Sequence, residues 1–290
     1  MDPVRICYAE EGDGEFIRWT ANLLRTFLND GSVALVRRSE RPDLMLAGVW
    51  RPHPFPDGVP VVLVSNENWR LFPPHAPLSR YRAVVGLYPP GEPCAFIPYP
   101  YAAVHFDVPV EELYRLRAEF LKLEKTRFCC FVTSNISSGG LAAERIGLFK
   151  MINRWQRVDS GGKTMNNIGA LAPRGLDYLN WIAQYRYMIC LENSVEPNYI
   201  TEKPFQAWFA GTVPIYYGSC IKQLNPEAIV DASGDVLAEL KFLESAPDAY
   251  EAKRRAELCD PPISLEPFEG RFRALVLDPV RRERAASERP

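Results

Sequence analysis

The sequence holds no surplus of positive charge. Lysine and arginine number 34 against 36 aspartates and glutamates, a formal net charge of −2, so the counterion-releasing surface that drives nucleic-acid binding is missing and no nucleic-acid partner is expected. No stretch approaches the ~18 uncharged apolar residues that a membrane-spanning helix needs. The opening MDPVRICYAEEGDGEF lacks the basic start and apolar core of a signal peptide, which predicts a cytoplasmic protein without a membrane span. Cys7, Cys94, Cys129, Cys130, Cys190, Cys220 and Cys259 show no C-x-x-C spacing, and several stand in apolar, strand-like runs. They read as buried thiols of a reducing compartment. His53, His75 and His105 lie far apart, with no H-x-H or H-E-x-x-H pattern, which argues against a zinc site. There is no G-x-S-x-G elbow, and DSGGKTMNN misses the G-x-x-x-x-G-K-[ST] spacing, leaving a tight turn as the use of its glycines.

What is present is an ordinary globular composition, 47% apolar and 24% charged, over 290 residues. That length suits two cores, with a ligand between them. VRICYA, SVALVR, DLMLAGVW, VPVVLVSNENW, YRAVVGLY and CAFIPYPYAA read as strands, with a helix over GEFIRWTANLLRTFL. The unbroken apolar run Val61 to Val64 predicts a parallel strand covered on both faces. The charged amphipathic segment Val110 to Lys125 predicts the connecting helix. Alternation then restarts: RFCCFVTSN, QRVDSGG, YMICLEN and TVPIYYG as strands, GGLAAERIGLFKMINRW and GLDYLNWIAQYR as helices, and more helix from about Asp235. Polar residues at strand ends, each followed by a helix, form a doubly wound α/β pattern that binds ligands at those ends. The tail DPVRRERAASERP reads as a frayed terminus.

The stretch NSVEPNYITEKPFQAWFAGTVPIYYG carries the most information. Thr201 can cap a helix whose first residues are Glu202 and Lys203, with Pro204 where its missing N–H breaks no bond, an apolar face of Phe205, Trp208 and Phe209, and Gly211 as a left-handed stop. Two readings of Glu202 and Lys203 stand side by side. They are a bland helix start, or they face a phosphate held by first-turn amides and the Lys203 ammonium. Arg145, near the first turn of the helix after TSNISSGG, could converge on the same diphosphate, or be an ordinary surface arginine. Glu67, at the end of the longest apolar strand and close to Trp69, is either a turn carboxylate or a general base with a raised pKa.

SNISSGG…ERIGLFKMINRW, VDSGGKTMNNIG and above all YMICLENSVEPNYITEKPFQAWFAGTVPIYYGS, spanning roughly Phe128 to Val230, resemble the α1,3/1,4-fucosyltransferase family (glycosyltransferase family 10), with weaker similarity around VSNENW. The soluble bacterial members are the better likeness. Ser160 stands where the family often has a cysteine. The resemblance implies a GT-B fold, two Rossmann-like domains facing across a cleft, here residues 1–120 for the acceptor and 121–290 for the donor. It implies an inverting transfer from GDP-fucose to an N-acetyllactosamine-like oligosaccharide, no required cofactor and divalent metal at most stimulatory. It also implies roles: Glu67 as general base, Arg145 on the diphosphate, Asn193 near the same group, and Tyr199 in the donor loop. Glu202 would engage the ribose or the fucose hydroxyls, with Lys203 as its basic neighbour.

Overall fold

The computed structural model describes residues 2–9, 14–65, 67–68, 72–87, 94–106, 108–134 and 141–288. They divide into two compact units, Met1–His105 with Ser264–Pro290, and Phe106–Ile263.

The first unit is built on β1 (Val4–Tyr8), α1 (Gly14–Leu23), α2 (Arg25–Asn29), β2 (Val33–Leu35), β3 (Leu44–Ala47), β4 (Val61–Val64), β5 (Ala83–Gly86), β6 (Phe96–Pro98) and α3 (Tyr101–Val104). Its strands form one sheet in the order β2-β1-β3-β4-β5-β6, parallel throughout. Every residue of β3, β4 and β5 is buried. That is why these strands read as unbroken apolar runs: a parallel strand has no solvent face on which polar residues could alternate.

The second unit comprises α4 (Val110–Phe120), β7 (Arg127–Phe131), α5 (Ala142–Trp155), β8 (Val158–Ser160), α6 (Leu176–Ile182), β9 (Tyr185–Leu191), α7 (Lys203–Phe209), β10 (Val213–Tyr217), β11 (Val230–Asp231), α8 (Val236–Ser245) and α9 (Pro247–Arg255). Its sheet runs β11-β10-β9-β7-β8, again parallel. One side of it is filled by Phe128, Phe131, Leu148, Phe149, Ile152 and Tyr187. In this strand order the chain winds one way from β7 to β8 and the other way from β9 onward, so the crevice between the C-terminal ends of β7 and β9 is the switch point where such sheets take ligands.

Two local expectations change. The segment read as a frayed tail, from Asp278, forms α11 (Asp278–Ser287), which continues α10 (Glu266–Phe272) and a π turn over Arg273–Leu277. Phe272, Val276, Leu277 and Val280 are buried, and Arg284 donates to Asp2 O, Pro3 O and Asp43 Oδ2. Helix α7 starts at Lys203 with Glu202 as the cap residue and no side-chain cap bond, because the Thr201 hydroxyl is used elsewhere. Pro204 to Phe209 are all buried, so this helix has no solvent face. Gly211 ends it at φ +60°, as its place in the sequence predicts.

The turn within DSGGKTMNN is a packing feature. A Cβ on Gly162 would fall 2.0 Å from Thr133 O, so only glycine lets this loop lie against the end of β7. Cys7, Cys129, Cys130, Cys190 and Cys220 are buried free thiols, and Cys94 and Cys259 are half-buried ones.

Candidate active site

The site in the second unit starts from a carboxylate. Glu192 directly follows β9, and its N–H donates to Tyr217 O, prolonging the ladder with β10 by one bond. This places the side chain at zero exposure. A buried carboxylate must be answered, and Glu192 accepts from the Thr201 N–H at 2.8 Å, the Thr201 hydroxyl at 2.6 Å and the Lys203 ammonium at 3.4 Å. The loop 193–202 is thereby pinned across the strand end. Burial raises the Glu192 carboxyl above its ordinary value, with Lys203 and Thr201 pulling the other way. Burial alone would lower the Lys203 ammonium, but Glu202 at 3.8 Å and Glu192 hold it above its ordinary value. Lys203 also donates to Thr201 Oγ1 at 2.8 Å. A Cβ on Gly218 would fall 2.5 Å from Tyr216 Oη and 2.8 Å from Glu192 Cγ, which explains the glycine that closes PIYYG.

Arg145 sits in the first turn of α5, is buried, and donates from Nη1 to Asn193 Oδ1 at 2.7 Å. The Leu141 N–H, just before α5, reaches Asn193 O at 3.3 Å. Asn193 therefore links the loops that follow β7 and β9. Burial lowers the Arg145 guanidinium, opposed by Tyr199 and Glu192. Tyr199 is 2% exposed. The Ser219 hydroxyl bonds its carbonyl and that of Glu196, and left-handed Asn198 turns the chain between them.

The fold thus gathers Arg145, Asn193, Tyr199, Glu202 and Lys203 at one end of one sheet. Glu67 belongs to the other unit. It is half-buried, three residues past β4, and its N–H donates to Ser65 Oγ at 3.2 Å. Trp69, Asn135, Gly139 and Gly140 lie outside the described residues. Sequence reasoning missed Glu192. Its signal was the apolar run YRYMICL ending directly in an acid, with a lysine eleven residues on. Among the described residues no group of three or more His, Cys, Asp or Glu could hold a metal ion, and no helix is long and apolar enough to cross a membrane.

Among solved structures, an α1,3-fucosyltransferase with GDP-fucose matches with a TM-score of 0.66 at 19% identity, covering 94% of this chain and 90% of that one. An α-glucosyltransferase in complex with UDP and DNA matches with a TM-score of 0.56 at 10% identity, covering 87% and 93%. With its two doubly wound parallel sheets, the protein has the GT-B-like fold. Residues 122–251, all in the second unit, match the profile "Glycosyltransferase family 10 (fucosyltransferase) C-term", so this part of the chain is similar to that family. The chain is 30% identical over 133 residues to an α-(1,3)-fucosyltransferase of Helicobacter pylori, 43% of this chain and 26% of that protein. It is 29% identical over 143 residues to an α-(1,4)-fucosyltransferase of Arabidopsis thaliana, 41% and 35%. The matched stretches thus span about a quarter to a third of those relatives' length.

Proposed function

We propose that the protein transfers L-fucose from GDP-fucose, with inversion, to O3 of an N-acetylglucosamine unit in a glycan. The observation that carries the reading is the placing of two cations, Arg145 in the first turn of α5 and Lys203 at the start of α7, the helices that follow β7 and β9, the strands that flank the switch point. A nucleotide diphosphate is the anion such a crevice takes. Asn193 fixes the Arg145 fork, and Glu192 fixes Lys203, so neither cation has to be ordered when charge appears on the leaving group. Preorganised charge of this kind lowers a barrier most where charge develops. Glu202 would hold ribose or fucose hydroxyls, and Tyr199 would shape the donor loop, so that C1 is presented in line. Glu67 takes the acceptor hydroxyl proton as that oxygen bonds to C1, while the C1–O bond to phosphate breaks and GDP leaves with the electron pair.

A different acceptor is the second reading, favoured by 24% identity over 188 residues to a GDP-fucose protein O-fucosyltransferase 3 of Rattus norvegicus. One experiment separates the two. The protein is incubated with GDP-fucose or GDP-mannose and with lactose, N-acetyllactosamine, its β1,3-linked isomer or a serine- and threonine-containing polypeptide, and products are identified by mass and NMR. Fucose on O3 of the glucosamine unit is expected, and Arg145→Ala should raise the donor KM and lower kcat, since a charge-assisted bond strengthens as the diphosphate gains charge. Transfer to the polypeptide alone would select the second reading. Absence of any transfer, with GDP binding untouched by Arg145→Ala, would overturn both.

A further inference from the structure

Trp50 has no place in the chemistry above, yet its position is unusual. Most large apolar side chains of the first unit are buried, whereas Trp50 is 40% exposed. It stands three residues past β3, as Glu67 stands three residues past β4. Those strands are parallel neighbours with Ala47 opposite Leu63, about 4.8 Å apart, so Trp50 and Glu67 leave the same sheet edge on adjoining loops. In the order β2-β1-β3-β4-β5-β6, the chain reverses its winding between β1 and β3. The loop carrying Trp50 is therefore one of the two that bound this unit's own switch point, the place where a doubly wound sheet takes its ligand.

The described residues of the two loops are tied to one another. The indole of Trp50 lies 4.4 Å from the Phe72 ring, tilted by 53°. The Phe72 N–H donates to Asn68 O at 2.9 Å, so the residue whose ring lies under Trp50 is joined by one hydrogen bond to the residue after Glu67. His75 Nε2 donates to Val49 O at 2.9 Å, tying the later loop to the earlier one beside Trp50. His53 donates from Nδ1 to Arg51 O at 3.3 Å, so its Nε2 accepts the Tyr81 hydroxyl at 2.9 Å. Phe55 packs on Tyr81, and Arg80 covers Phe55 at 3.9 Å. Burial lowers the His53 pKa, which suits this neutral tautomer. An exposed indole on so heavily braced a loop presents an apolar face with little freedom left to lose on binding.

We propose that Trp50, backed by Phe72, is the stacking platform for a pyranose ring of the acceptor glycan, holding the sugar beside Glu67. A pyranose has one face of C–H groups and a rim of hydroxyls. The C–H face suits an aromatic ring, and the hydroxyls remain for the polar residues after β4, Glu67 among them. The assignment rests on the transferase reading for the identity of the ligand.

The test compares Trp50→Leu, which keeps apolar bulk and loses the ring, with Trp50→Phe, which keeps a ring. The acceptor KM for N-acetyllactosamine should rise about tenfold in the leucine variant and only a few-fold in the phenylalanine variant. The KM for GDP-fucose and the melting temperature should stay at wild-type values. A leucine variant with the wild-type acceptor KM would overturn the platform and leave the transferase reading standing. Saturation-transfer NMR with N-acetyllactosamine, lactose and the β1,3-linked isomer, in the presence of GDP, reads binding without turnover. Glycan signals lost in Trp50→Leu from a protein that transfers no fucose would keep the platform and overturn the reaction. No binding of any of the three disaccharides to the wild type would overturn the platform.

Discussion

An acid placed directly after an apolar strand has to be neutralised or surrounded, and Glu192 is surrounded. Its oxygens accept two bonds from Thr201 and face Lys203. Replacing it separates its two tasks. Glu192→Gln keeps an acceptor for the Thr201 N–H but removes the charge opposite Lys203, whereas Glu192→Ala also strands the Thr201 N–H and hydroxyl. Breaking a buried pair on one side costs roughly 3–5 kcal/mol, so thermal unfolding should show the alanine variant well below the wild type and the glutamine variant between them. Equal melting temperatures for all three would mean that the loop is held by other bonds. At Glu67 the expectation concerns rate. Glu67→Gln preserves shape and cannot accept the proton, so fucose transfer should fall by roughly 10²–10⁴-fold, with donor binding unchanged because this residue lies in the other unit from Arg145 and Lys203. A folded Glu67→Gln protein with more than about a tenth of wild-type transfer would move the base elsewhere, and Glu202 would be the first alternative.

At the scale of elements, the second unit closes its helix C-termini with distant cations. The last carbonyls of a helix have no partner within it. Lys125, between α4 and β7, donates to Ala183 O at 2.7 Å at the end of α6 and to Ala210 O at 2.9 Å at the end of α7. Arg254 of α9 reaches Gly211 O and Phe120 O, each at 2.9 Å. Arg117 of α4 bonds Trp208 O and lies 3.8 Å over the Trp208 ring. Burial, with Arg254 nearby, brings the Lys125 ammonium down to about 7 from an ordinary 10.5. Between those values the unfolded chain holds a proton that the folded chain has released. Stability therefore rises with pH across this window, and the cost of burying the charge is fully present below it. Denaturant midpoints measured from pH 7 to pH 10 should climb more in the wild type than in Lys125→Met. Parallel curves would show that Lys125 keeps its proton in the fold.

At the scale of the molecule, the chain returns to its beginning. Phe268, Phe272, Val276, Leu277 and Val280 are buried in the unit that holds residues 1–105. Phe272 packs 5.6 Å from Phe27, and Arg82 pairs with Glu283 at 2.7 Å. Each such apolar side chain contributes roughly 1.5–3 kcal/mol, so the five together rival the roughly 5–15 kcal/mol that holds a domain folded. A chain ended at Ile263 should keep residues 106–263 resistant to limited proteolysis and lose protection over residues 2–105, read by mass spectrometry of the fragments. Undiminished protection of the first unit would show that its sheet stands without these helices.

The strands and most of the helices were legible from local pattern, because a parallel strand covered on both faces is a short unbroken apolar run and a glycine at positive φ ends a helix wherever it stands. The family resemblance was legible for a similar reason, since the span from Tyr187 to Ser219 is one continuous stretch of chain. What only the tertiary structure decided are the meetings of residues remote in sequence. Arg145 finds Asn193 across 48 positions, Arg117 finds Trp208 across 91, and Arg284 finds Pro3 across 281. A lone arginine in a charged helix or a basic tail looks solvated, because nothing in its neighbours along the chain says which carbonyl or carboxamide will arrive beside it. Glu192 belongs to the same class: its burial follows from the ladder between β9 and β10, and that ladder exists only once the sheet has formed.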